Sequence, residues 1–228
     1  MDFHDPFSSG THLAFAAFMA FAGAILLQLT RAHTPYRRWA VGLYALSAVL
    51  LYTASGLFHG VSHSSPDSYA LFLRFDLSGI FLLVAGTFLP VIAYLLGGRW
   101  RAVMTVAVGA LAGVGIAVVW LIDAPKSAVM VPVCVGLAVV GLIPLPLYLL
   151  AAGWRAVGWL FAAGVVYATG GVCEVLKWPI LWDGVIASHE VLHLTDILGT
   201  LTHLGLVVWL VRRGCRRLVP VSSLPPTP

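Results

Sequence analysis

Ser188-His189-Glu190-Val191-Leu192-His193-Leu194-Thr195-Asp196, running on through Thr200 and His203 into Leu204-Gly205-Leu206-Val207-Val208-Trp209-Leu210-Val211, is an apolar segment with polar groups set into it at helical spacing. His189, His193, Asp196, Thr200 and His203 recur at intervals of four, three, four and three residues. At ~100° per residue they share a stripe roughly 80° wide on one helix face. An apolar helix of this length reads as membrane-spanning, and lipid cannot solvate such a stripe. The stripe must therefore face protein or a water-filled cavity. Two histidines at i and i+4 are also the simplest helical bite for a metal ion.

The rest of the chain agrees with that reading. Its 228 residues are 60% hydrophobic and 10% charged, whereas a soluble domain carries about 25% charged residues. The predicted fold is all-α, an integral membrane bundle of seven transmembrane helices. The spans are 12–30, 39–59, 75–96, 102–122, 128–150, 157–177 and 189–211, each of about 20 residues, enough to cross ~30 Å of hydrocarbon. One transmembrane domain covers 1–218, and the Pro/Ser-rich tail 219–228 is expected to be disordered. Met1 to Pro6 has neither the basic start nor the cleavage site of a signal peptide. Cys134, Cys173 and Cys215 form no C-x-x-C pair, which argues against a disulfide framework and a thiolate metal site.

Seven spans put alternate loops on opposite sides. Ten of the thirteen Lys and Arg fall on one side, in the 31–38 and 99–101 loops, at Arg155 and in the 212–217 tail. The positive-inside rule places that side in the cytoplasm and the N-terminus outside, in a plasma (bacterial inner) membrane. The net charge of +4 thus reports topology and gives no sign of a nucleic-acid partner. On this topology His12, His59, Asp76 and His189 all reach the outer membrane face. That convergence suggests one composite site. His4, His33 and His63 read as solvated.

Three neutral imidazoles, His59, His189 and His193, suit a tetrahedral Zn2+ with one position left for water, whose pKa such an ion lowers to about 7. Asp76 is the candidate proton carrier, although a carboxylate at the start of a helix can also act as a cap. Ser55, one turn before His59, is a candidate for polarising a carbonyl or orienting His59, or it simply bonds the backbone behind it. Down the third span, Gly79 and Gly86 on the Asp76 face would let a neighbouring helix approach closely.

Ser55-x-x-x-His59, the run Arg74-Phe75-Asp76-Leu77-Ser78-Gly79 through Pro90, and His189-x-x-x-His193 with His203 beyond together resemble the hemolysin III family. This is the bacterial branch of the progestin and adipoQ receptor (PAQR) family. Pro6 to His12 and Cys173 to Pro179 are similar to its members as well, and alkaline ceramidases share the pattern more distantly. The resemblance implies zinc on His59, His189 and His193, with Asp76 and Ser55 beside it. It also implies hydrolysis of a lipid amide, with a membrane lipid or fatty-acid-containing molecule as substrate. Two features depart from the receptors: Asp196 stands where they are usually apolar, and the basic-residue count reverses their topology.

Three readings remain open on the sequence. One is a zinc-dependent hydrolase of lipid amide or ester bonds. Another is a non-enzymatic membrane-homeostasis, receptor-like or haemolytic protein with structural zinc. The third is an intramembrane protease, since His189-Glu190-x-x-His193 spells the zincin signature with Glu190 as base.

Overall fold

The computed structural model describes residues 5–61, 65–122, 126–182 and 184–214. The tail 219–228, with His4, His63 and Cys215, lies outside them. Among the described residues seven helices follow one another: α1 (Pro6–Leu29), α2 (Pro35–Gly60), α3 (Pro66–Leu95), α4 (Gly98–Leu121), α5 (Lys126–Leu142), α6 (Leu145–Leu176) and α7 (Ser188–Arg213). Proline stands in the first turn of α1, α2 and α3, where its missing N–H costs nothing and its fixed φ suits the helix. Asp5 accepts the Ser8 N–H at 3.0 Å at the start of α1. Ser65 and Ser68 form a reciprocal capping box at the start of α3. Arg212 and Arg213 in the last turn of α7 complement its dipole.

Six of these helices are long and apolar enough to cross a membrane. The fifth falls short, because its apolar part stops at Leu142. The expected 128–150 span is therefore corrected: the chain turns at Ile143–Pro144, and α6 begins at Leu145. A second break follows at Gly153, whose φ of +71° lies in the left-handed region that glycine tolerates. Residues on both sides of these breaks are apolar, so hydropathy alone runs straight through them. The Tyr148 hydroxyl reaches back to the Gly141 carbonyl at 3.1 Å and satisfies one of the carbonyls left open where α5 ends. Phe21, Val106, Leu121, Val165 and Trp154 stand out from the bundle. Apolar surface on that scale suits lipid and would aggregate in water.

At the centre lies α3, packed against α2, α4, α5, α6 and α7. Its close approach to α2 depends on two glycines, as the sequence suggests. A Cβ on Gly79 would lie 2.7 Å from the Leu51 Cα, and one on Gly86 would collide with the Ser47 side chain. This contact fixes the end of α2, and His59 with it, relative to the cavity beside α3. The helix α7 packs against α1, α3 and α6, so its first turns open onto the same cavity.

Candidate metal centre

His59 occupies the last turn of α2, while His189 and His193 occupy the first two turns of α7. The His193 Nε2 lies 3.1 Å from the Nε2 of His59 and 3.1 Å from that of His189. One ligand atom from each of the three lies within 4.8 Å of the other two, so the cluster is able to hold a metal ion. His59 and His193 are buried and His189 half-exposed, which leaves one side of the cluster accessible.

Carboxylates back two of the rings. Asp5 Oδ2 lies 3.5 Å from His59 Nδ1, and Glu174 Oε2 lies 3.7 Å from His189 Nδ1. These are charge contacts, longer than formed hydrogen bonds. Each favours the tautomer with its proton on Nδ1, which turns the Nε2 lone pair toward the cluster. Asp5 is held for the task twice over: its other oxygen caps α1, and its N–H donates to the His59 carbonyl at 3.1 Å. Glu174 is shared, since Lys177 Nζ meets its Oε1 at 2.5 Å and the Ser188 hydroxyl its Oε2 at 3.3 Å. The pairing of Glu174 with Lys177 follows from their spacing of three, but the contact to His189 is not visible in spacing. Asp5 was missed as well, although the sequence offers a signal. A carboxylate just before a helix-starting proline, at the end of the bundle that holds His59, is well placed to reach it.

A cavity of about 1010 Å³ opens beside the cluster. His12, Ser55, Asp76 and Asp196 line it together with the three histidines, and Ile80, Met130 and Val131 supply apolar wall. The convergence inferred from span counting is therefore physical, but some positions differ from expectation. Asp76 is no helix cap: α3 begins at Pro66 under Ser65, ten residues earlier. His12 lies two turns into α1, buried, with its ring 4.3 Å from that of His193 and 5.1 Å from that of Tyr52. Ser55 is 2% exposed, and its hydroxyl makes no bond to the turn behind it among the described residues. Asp76 stands outside the group of mutually close ligand atoms.

Residues 3–204 match the family model described as "Haemolysin-III related". The chain belongs to that family. It is similar to the Adiponectin receptor protein of Drosophila melanogaster, 26% identical over 204 residues, which are 81% of this chain and 46% of the relative. It is similar also to Hemolysin-3 of Bacillus cereus, 28% identical over 158 residues, 68% of this chain and 67% of that protein. The chain thus spans under half the length of the first relative and about two thirds of the second.

In this haemolysin-III related chain the deeper half of α7 behaves differently from its first turns. Thr200 lies about 10 Å beyond His193 along the helix. Its Oγ1 is bonded to the hydroxyls of Tyr52 at 2.7 Å and Tyr167 at 2.8 Å, and its carbonyl accepts from Tyr44 at 3.1 Å. His203 Nε2 donates to the Thr87 carbonyl at 2.7 Å, beside the turn of α3 that Pro90 loosens by lacking an N–H. An Asp196–His203 pair, which the stripe allows, does not form. Asp196 faces the cavity instead. Glu190 is also committed locally, its carboxylate accepting the Ala187 N–H at 2.7 Å at the start of α7.

Proposed function

We propose that this chain is a zinc-dependent hydrolase of amide or ester bonds in membrane lipids. The observation that carries the proposal is the convergence of three imidazole nitrogens, two of them backed by carboxylates, on the wall of a cavity with an apolar side. The donor set fits a cation. With the protons of His59 and His189 drawn to Nδ1, two Nε2 lone pairs face His193, whose single ring proton can serve only one of them at a time. The Nδ1 of His193 is buried without a hydrogen-bond partner among the described residues. A positive ion at the centre would satisfy all three Nε2 lone pairs at once. Nitrogen-only donors from three histidines suit zinc, and such an ion lowers the pKa of a bound water to near neutrality.

The protein's own residues divide the remaining work. Asp5 and Glu174 orient His59 and His189. Asp76 carries a proton at its carboxylate between water and leaving group, and the Ser55 hydroxyl orients the substrate carbonyl. Ile80, Met130 and Val131 receive an acyl chain and keep bulk water out. The ten-to-three distribution of basic residues supports an outward-facing site, with the N-terminus outside and the C-terminus cytoplasmic.

A structural-zinc reading has one observation in its favour: His59 and His193 join α2 to α7 directly, so an ion there would staple the two. The fatty acid released from a panel of lipid amides and esters by the purified full chain separates the readings. The proposal expects release from at least one member and loss of that release in Asp76→Asn with metal retained. No release from any member would leave the staple. Glu190→Gln tests the protease reading, which the engaged carboxylate of Glu190 disfavours.

A further inference from the structure

The end of the bundle opposite the histidines has a charge distribution of its own. The 31–38, 99–101 and 212–217 segments together with Arg155 hold ten of the thirteen basic residues, and no Asp or Glu at all. All nine carboxylates belong to the other half of the chain's topology. Asp and Glu side chains therefore supply no countercharge in these segments, which suits the basic end to an anion from outside.

Part of this charge is used within the fold. Arg37 donates to the Ala93 carbonyl and lies over the Tyr94 ring, Arg101 donates to the Leu96 carbonyl and lies over Tyr36, and Arg213 lies over Trp209. Arg31 and Arg38 differ. Both are exposed and neither has an ion-pair partner among the described residues. They flank a groove of about 510 Å³ between α1 and α2, into which His33 also projects. Its floor is apolar, made by Leu27, Leu43 and Leu46, with Gly42 leaving the room and Trp39 at the rim. His33, expected to be solvated, is instead fixed by a 2.5 Å contact between its Nδ1 and the Tyr94 hydroxyl. Desolvation, and then Arg37, hold its pKa below the ordinary histidine range. The positive charge at the groove is therefore that of the two arginines, and His33 offers a neutral hydrogen-bonding edge.

We infer that this groove is a binding site for one anionic phospholipid, with the headgroup phosphate between Arg31 and Arg38 and an acyl chain along Leu27, Leu43 and Leu46. Guanidinium forks match phosphate oxygens bidentately and desolvate more readily than ammonium groups. Basic pockets between membrane helices, with an apolar continuation toward the bilayer, have the form of a lipid headgroup site. A soluble phosphate would use the arginines and leave the apolar floor in water. The site is independent of the metal centre, and its test does not depend on hydrolysis.

The test is native mass spectrometry of the detergent-solubilised full chain, titrated with phosphatidylglycerol, phosphatidylcholine or glycerol phosphate. The wild type is expected to retain one phosphatidylglycerol in preference to phosphatidylcholine. Arg31→Gln with Arg38→Gln should weaken that binding by about tenfold or more. Gly42→Leu, which fills the groove without touching the charge, should weaken it as well. The control pair Arg99→Gln with Arg212→Gln removes equal charge from the same end and should leave the preference in place. An equal loss in the control pair would show diffuse attraction and overturn the site. Glycerol phosphate binding as well as the whole lipid, or Gly42→Leu binding as well as the wild type, would overturn the role of the groove.

Discussion

The two halves of α7 carry similar residues and put them to opposite uses. From Thr200 onward the polar groups of the stripe have complementary partners: Thr200 bonds two tyrosine hydroxyls and His203 donates to a carbonyl. In its first turns the partners are alike. His193 meets both His189 and His59 nitrogen to nitrogen, where three rings cannot all be satisfied by the protons they hold. A polar stripe inside a membrane protein is thus not one signal. Complementary pairing marks structure, and convergence of like donors on a cavity marks a place for something else.

Substitutions in each half can break or sharpen this contrast. The largest effect belongs to Asp76→Asn, which should cost about 10²–10⁴ in turnover while metal content and melting behaviour stay at wild-type values; a variant that loses its metal would make Asp76 a ligand. Asp5→Asn keeps a good helix cap but removes the charge behind His59. It should weaken metal affinity by about 10- to 100-fold, and competition with a metal-sensitive dye would measure the change. In the deeper half, Thr200→Val and His203→Leu should each lower stability by about 1–2 kcal/mol. Equilibrium unfolding would register this with metal content unchanged, and loss of metal from either variant would erase the distinction between the halves. Glu190→Gln should do least. Glutamine retains the capping geometry at the start of α7, so stability should move by less than about 0.5 kcal/mol and activity should persist.

The helical membrane fold was legible because apolar runs of about 20 residues have few other uses, and it survives in six long helices. The break at Ile143–Pro144 and the kink at Gly153 were not legible, since the prolines and glycines near them are tolerated inside membrane helices too. The histidine cluster could be read because span counting brings the end of α2 and the start of α7 to one side. Asp5 and Glu174 escaped for a different reason. Which ring nitrogen meets which carboxylate is decided by side-chain geometry across helices, which spacing along the chain does not encode. Asp76 showed the same limit in reverse. Its place at the edge of an apolar run suggested a cap, but the helix continues nearly three turns further back to Pro66, because polar residues can extend a helix beyond the membrane.

The central claim is that His59, His189 and His193 act as one ligand set across two helices. Metal analysis of the purified full chain, beside His59→Ala and His193→Ala, tests it most directly. The expected result is one equivalent of zinc in the wild type and its loss in both variants, since removing one of three ligands leaves a bidentate site. Full zinc in His59→Ala would contradict the account, because the metal would then be held by α7 without α2.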